Sequence, residues 1–370
     1  MNLDNYFAEL RQLVNIDCGT QTTQGVAQVA GIMADLWRGE GWHVTTVDLG
    51  EQVGPGVLAT NKPAASQYDV LLVGHLDTVF PEGTVAQRPF SQDETRAYGP
   101  GVSDMKSGLL NILWAIRGLA AEHQQRLSIA VAMNPDEETG SVHSHQWIGE
   151  LAKQSRVVLV CEAARADGSL VKARKGMAGY RLNFTGVAAH AGNEPEKGRS
   201  AITALANAIL SINALAKPGL GTTLNLGGVK GGDAANVVAA HASAELDIRF
   251  WDNDEYHRVN SQLHTLCEQG FLAGVTTTLT PLTHKPAMAA SQDTEKLIAL
   301  VEQAGEQEGV PISWQAVGGG SDANHTAALG IPTLDGFGPI GAGFHSPAEY
   351  LETASIEPRI RLLRRVIATL

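Results

Sequence analysis

Leu3, Tyr6, Phe7, Leu10, Leu13 and Val14 recur at the spacing of one helical face, so the chain opens on an amphipathic helix. A second helix is predicted from about residue 23 to 37. Val26, Val29, Ala30, Met33 and Leu36 share one side of it, and Gly39 and Gly41 end it. Strand patterns follow at 44–49 and 70–73, the latter continuously apolar, as in a strand buried on both faces. After a loop-rich stretch over 80–104 the pattern predicts a helix at about 106–121, a strand at 127–133, a helix at 141–153 and a buried strand at 157–161. Strands alternating with helices argue for an α/β sheet covered on both sides.

The pattern changes near Gly176. Residues 177–185 alternate like a half-exposed strand, a helix follows at about 199–216, and strands at 222–227 and 242–250 precede a helix at 255–268 and a strand at 275–280. This is a β-α-β-β-α-β module of ferredoxin-like type. The α/β pattern resumes near 287. The expected organisation is therefore a large domain of residues 1–176 and 287–370 interrupted by a small one at 177–286.

Length and composition fit that division. A chain of 370 residues argues for two domains or three, and 44% apolar residues can fill their cores. A net charge of −12 and only 5% aromatics argue against a phosphate-neutralising or base-stacking surface, so no nucleic-acid partner is expected. Cys18, Cys161 and Cys267 form no paired motif, which excludes a disulfide framework and suits a reducing compartment. No apolar run is long enough to span a membrane, and Met1-Asn2-Leu3-Asp4 does not read as a leader. A cytoplasmic protein with no membrane partner is expected.

Four clusters carry chemistry. In Gly74-His75-Leu76-Asp77-Thr78, just after a buried strand, His75 and Asp77 point the same way on an extended chain. His75 is either a metal ligand oriented by Asp77 or a strand-end histidine bonded to a carboxylate. In Gly99-Pro100-Gly101-Val102-Ser103-Asp104, a glycine-rich loop brings Asp104 to a helix start, as an N-cap or as a carboxylate able to bridge two cations. Asp136-Glu137-Glu138 places three acids together at a strand end, where they repel unless cations are present or a helix dipole favours them. Glu162 repeats the theme after 157–161. The last cluster pairs glycine-rich Gly318-Gly319-Gly320 and Gly341-Ala342-Gly343 with His325 and His345; here backbone could approach a ligand closely, as at Gly319, or either stretch is an ordinary loop. His75, Asp104, Glu138, Glu162 and His345 form a mixed nitrogen and oxygen donor set without thiolate, which suits zinc and also accepts cobalt or manganese. His143 and His145 read as exposed helix residues.

These residues, in the stretches GHLDTVFPEGT, GPGVSDMKSG, NPDEETGS, ARKG, AAHAGNEPEKGRSAI, ANVV, ELDIRF, GGGSDANHTAALGIP and GAGFHSPAEY, resemble the M20 family of metallopeptidases, most closely its glutamate carboxypeptidase (carboxypeptidase G2-like) branch. The resemblance implies a zinc-exopeptidase-like catalytic α/β sandwich with an inserted lid that also dimerises. It implies two Zn2+ per subunit, one held by His75 and Glu162, the other by Glu138 and His345, with Asp104 bridging them. Asp77 would orient His75. Glu137 would take a proton from the metal-bridging water and return it to the leaving amine. In the lid, His190 would stabilise the oxyanion in the partner subunit's site, which makes a homodimer the expected state. Asn236 and Arg249 would contact substrate, the latter through a carboxylate; the competing readings are a structural role for His190 and a surface ion pair for Arg249.

One departure bears on selectivity. Where glutamate-cleaving relatives often carry Arg-Pro, this chain has Lys285-Pro286; Lys285 keeps the charge but not the planar fork. The resemblance implies a hydrolase that removes a C-terminal amino acid, glutamate among the candidates, from a small N-acyl or peptide substrate. The competing readings are an N-acyl-amino-acid deacylase of the acetylornithine or succinyl-diaminopimelate type, a di- or tripeptide aminopeptidase, and a binding protein without catalysis. Gly176 and residues 283–288 are candidate hinges.

Overall fold

The computed structural model describes residues 2–370. They form two compact units. The first runs to Ala173 and resumes over Ala289–Val317 and Ser321–Leu370; the second is Arg174–Met288 with Gly318–Gly320.

The first unit is built on strands β1 (His43–Val47), β2 (Gly56–Thr60), β3 (Val70–His75), β4 (Ile129–Asn134) and β5 (Val158–Val160). Their order in the sheet is β1-β2-β4-β3-β5, closed by the short strand Thr333–Leu334. β4, β3, β5 and Thr333–Leu334 are parallel, whereas β2 runs antiparallel to both its neighbours. Every residue of β3, β4 and β5 is buried, because both faces of the sheet are covered. Helix Thr23–Gly39 packs on β1 and β2; helix Ser107–Arg117 packs on β3 and on the C-terminal helix Ile356–Thr369.

Some boundaries differ from the sequence pattern for local reasons. The strand expected to reach residue 49 stops at Val47, where Asp48 accepts the Gly50 N–H and turns the chain. β2 has no counterpart in the pattern. The helix expected from 141 begins at His145, because Ser141 sits at φ +54°.

In the second unit, β6 (Gly176–Thr185), β7 (Thr223–Gly231), β8 (His241–Phe250) and β9 (Thr276–Lys285) form an antiparallel sheet in the order β7-β8-β6-β9. Ala178, Tyr180, Leu182 and Phe184 from one face of β6 pack with Ala204, Leu205 and Ala208 of helix Ala201–Asn213 and Val259 and Leu263 of helix Asn253–Gln269. Ser200 and Asp252 cap these helices. The connectivity is the ferredoxin-like one that the periodicity implies. The three cysteines are free thiols. Among the described residues no helix is long and apolar enough to cross a membrane.

Candidate metal centre

β4, β3 and β5 are adjacent and parallel, so their carboxyl ends lie side by side, where open α/β sheets place ligands. β3 ends in His75, β4 is followed by the turn Glu137–Thr139, and β5 leads through Cys161 to Glu162. Asp104 is brought in by a loop whose turn uses Gly101 at φ +71°. The following helix sits so close to β5 that a Cβ on Gly108 would stand 2.1 Å from the Cys161 carbonyl oxygen. His345 arrives from the C-terminal region at φ +60°, a conformation a non-glycine residue holds only when its surroundings fix it.

Asp104 stands between the two imidazoles. Its Oδ1 lies 3.2 Å from His75 Nε2 and its Oδ2 lies 3.2 Å from His345 Nε2. Glu162 Oε1 is 3.5 Å from His75 Nε2, and Glu138 Oε2 is 3.1 Å from His345 Nε2. The donor atoms of His75, Asp104 and Glu138 lie within 4.8 Å of one another, as do those of His75, Glu137 and Glu162. Asp104 is not the N-cap of the next helix; that position belongs to Lys106.

Asp77 does two things. The His75 Nδ1 faces its backbone oxygen at 3.0 Å and its Oδ1 at 3.3 Å, which leaves Nε2 for the cluster. The same carboxylate accepts the backbone N–H groups of Glu137 and Glu138 at 3.2 Å each and the Thr20 hydroxyl at 2.6 Å. Of the three consecutive acids, Asp136 turns away and accepts from His143 N and Ser144 Oγ, so it builds the turn. His143 and His145 are half-buried rather than exposed, and His143 precedes the helix; His145 packs on the His325 ring at 5.4 Å and bonds the Ser141 carbonyl. Thr20 and Glu349 were not singled out in the sequence. Glu349, buried, accepts three backbone N–H groups of the Asp104 loop.

The electrostatics show an acidic cluster short of positive charge. Burial pushes Glu162 up to about 8 and Glu138 up to about 7; Asp104 and Glu137 add to both shifts, while the imidazoles oppose them. Burial disfavours a charged His75, yet Glu162, Asp104 and Asp77 hold its pKa well above the ordinary value. Asp104 and Glu138 hold His345 up at about 10. Asp104 is also penalised by burial, but His345 and His75 keep it below the usual carboxylate range. Two imidazole nitrogens and three carboxylates, each with an oxygen or Nε2 aimed inward, fit divalent cations of the zinc, cobalt or manganese type.

The remaining candidates lie in the second unit, in two places. His190 and Asn236 share one loop cluster: His190 pairs with Val237, and the Ala191 N–H donates to the Asn236 carbonyl at 3.0 Å. The exposed His190 accepts the Gly192 and Asn193 N–H groups at Nδ1, both at 3.1 Å, so its neutral ring carries the proton on Nε2. Arg249 and Lys285 both pair with Met177, at the other end of the sheet. Arg249 is engaged by Asp247, at 2.9 and 3.2 Å, and Lys285 is buried. The Gly319 carbonyl accepts from Arg174 at 3.0 Å.

The model of peptidase family M20/M25/M40 matches residues 71–369. Carboxypeptidase G2 of Pseudomonas sp. (strain RS-16) is 31% identical over 370 residues, covering 98% of this chain and 88% of that one. Acetylornithine deacetylase of Proteus mirabilis (strain HI4320) is 28% identical, covering 80% of this chain and 78% of that one. Among solved structures, a tripeptidase from Staphylococcus aureus subsp. aureus Mu50 matches over the whole of both chains with a TM-score of 0.82 at 21% identity. Aminopeptidase PepT from Bacillus cereus ATCC 10987 matches with a TM-score of 0.80 at 23% identity, over 100% of this chain and 98% of its own. The structural matches show the shared fold. The chain belongs to peptidase family M20/M25/M40 and is a metallopeptidase of that family.

Proposed function

We propose, from that membership, that the protein is a two-zinc amide hydrolase that removes a C-terminal amino acid, glutamate among the candidates, from an N-acyl or peptide conjugate. The observation that carries this reading is Asp104, whose two oxygens face two different imidazoles, each with its own glutamate. His75 and Glu162 would hold one cation, Glu138 and His345 the other, and Asp104 would be shared. Bound there, the cations supply Lewis-acid polarisation of the scissile carbonyl and make water reactive at neutral pH. Glu137 is the general base: its carboxylate takes the proton of the attacking water and passes it to the leaving amine nitrogen. Asp77 holds the turn bearing Glu137 and the ring of His75 with one carboxylate.

The second unit is the lid and dimerisation domain. Its candidates divide between the ends of a ten-residue strand, roughly 30 Å apart at about 3.3 Å per residue. One copy of this unit therefore cannot set His190 and Arg249 on the same amide. We assign Arg249 and Lys285 to the carboxylate of substrate in their own subunit, and the His190 Nε2–H and Asn236 to the oxyanion in the partner's site. On this reading the enzyme acts as a homodimer.

The test is amino-acid release from N-acyl glutamates, N-acetylated amino acids and free dipeptides. It compares zinc-loaded and chelated enzyme, Glu137→Ala, His190→Ala, and a mixture of the two variants. Wild type cleaves N-acyl glutamates, chelation abolishes cleavage, and Glu137→Ala loses about 10²–10⁴-fold in kcat. The mixture regains up to about a quarter of wild-type activity, because half the dimers then contain one complete site. An active Glu137→Ala sinks the base assignment. Preference for N-acetylated amino acids would make the protein a deacylase, and cleavage of free dipeptides alone an aminopeptidase. An inactive mixture would place His190 in its own subunit's site.

A further inference from the structure

Glu349 belongs to no set of expected ligands, yet it is one of the least exposed acids in the chain, at 1%. Its Oε2 accepts the Gly101 N–H at 2.9 Å, and its Oε1 accepts the Ser103 and Asp104 N–H groups at 2.9 and 3.0 Å. Three backbone donors converging on one carboxyl group form a concave nest, here filled by a side chain 245 or more residues away in sequence. The position of Glu349 is fixed from both sides. Strand Tyr350–Glu352 pairs with Arg96–Tyr98 just ahead of the Asp104 loop, in the register Tyr350 opposite Tyr98. Gly341, at the start of the segment leading to His345, packs so tightly on this loop that a Cβ would stand 1.8 Å from Ser103 Oγ.

We propose that Glu349 is a positioning residue for the metal centre: it sets the Asp104 carboxylate between the imidazoles and ties the His345 segment to that loop. The inference rests on the two-cation reading above. The alternative is that Glu349 only satisfies buried N–H groups, as any acceptor would, with no bearing on the cations. The two differ in what Glu349→Gln does. The amide is isosteric, but its NH2 must face either Gly101 N–H or the Ser103 and Asp104 pair, donor against donor, so the loop shifts while the packing stays.

The experiment titrates metal-free protein with Co2+, following the visible d–d bands and the binding heat, with circular dichroism and thermal unfolding of the metal-free state in parallel. Wild type, Glu349→Gln, Glu138→Gln as a ligand variant, and Leu363→Ala as a distant core variant of the same unit are compared. Glu349→Gln is expected to fold and to bind Co2+ about 10–100-fold more weakly with altered d–d bands, the usual loss for a residue that orients metal ligands. Its kcat in the zinc-loaded enzyme falls more than its KM rises. Leu363→Ala, though less stable, keeps the wild-type Co2+ affinity. Glu349→Gln with wild-type affinity and spectrum overturns the positioning role alone. So does equal weakening in Leu363→Ala, which would make the effect one of general stability. A wild type that takes up no Co2+ overturns the two-cation reading and this inference with it.

Discussion

The two units treat buried charge in opposite ways. In the second unit Glu255 is nearly buried, but it has its own cation: Arg258 donates to both of its oxygens at 2.7 Å, Thr222 adds a hydroxyl and Lys217 a third donor. Arg258 holds its carboxyl down at about 2. In the first unit, Asp104, Glu138 and Glu162 share two imidazoles, and two of the three are pushed above neutrality or to it. One unit is electrostatically complete as folded. The other keeps a deficit of positive charge that a bound cation would fill. A fold can carry such a deficit because the surrounding core is large: β3, β4 and β5 are buried throughout.

The largest consequence is in how each unit's stability depends on pH in the absence of metal. Glu138 and Glu162 have folded pKa values raised from 4.5 to about 7 and about 8. Their stabilising contribution is complete below pH ~4.5 and is lost as pH rises through 7–8. Each proton kept by the folded but not the unfolded state gives a slope of about 1.4 kcal/mol per pH unit. Glu255 is shifted the other way, so its contribution is present above the unfolded value and lost only as pH falls through about 2. Hydrogen exchange on chelated protein between pH 5 and 8.5, corrected for the intrinsic rate, should show the first unit losing protection and the second holding it. Equal behaviour of both units would break the comparison. Added zinc should reverse the trend in the first unit, since cations compete with protons for the same atoms.

A smaller effect separates pairing from crowding. Glu255→Gln removes the charge from four donor contacts while keeping the shape. Lost hydrogen bonds to charged groups cost about 1.5–3 kcal/mol. The second unit should therefore unfold at lower denaturant, with Co2+ binding unaltered. A change in Co2+ affinity would show that the units are not electrostatically separate.

How much of this could be read from sequence follows from the same contrast. His75, Glu138 and Glu162 stood out because they follow buried strands, and Asp104 and His345 because they sit beside glycine-rich turns; each alone also had a purely structural reading, and the family resemblance is what joined the five into one set. Asp136 belongs to the same run and was indistinguishable from Glu137 until the turn was seen to bend it toward Ser144. Glu349 was hidden because its role is to meet backbone donors 245 or more residues away, and the sequence does not mark which N–H groups lack a partner. The secondary pattern was legible where periodicity ran long, as in the helix Leu3–Val14, and failed for the five residues of β2. The placement of His190 and Arg249 at opposite ends of one sheet depends on strand register, which no local pattern encodes.

The smallest effect has the opposite sign, and it is the sharpest version of the comparison. Glu162→Gln replaces an acid that the folded state prefers neutral with a neutral isostere. Below about pH 5 both forms are uncharged when folded, and the substitution should be nearly silent. At pH 8.5 the unfolded glutamate is ionised, while the folded one is held back by burial and by the charges of Asp104 and Glu137. The variant escapes that penalty but gives up the His75 contact at 3.5 Å. The net gain for chelated protein should be on the order of 1 kcal/mol, the scale of a typical stabilising exchange at a functional site. Chelated wild type and variant, unfolded in urea at both pH values, decide it. The same Glu→Gln change would then stabilise one unit and destabilise the other. Zinc must invert the result, raising the wild type above the variant, because the variant lacks one of the oxygens that would hold the ion. If Glu162→Gln destabilises the chelated protein at pH 8.5 as Glu255→Gln does, Glu162 is an ordinary paired carboxylate, and the first unit has no charge deficit to fill.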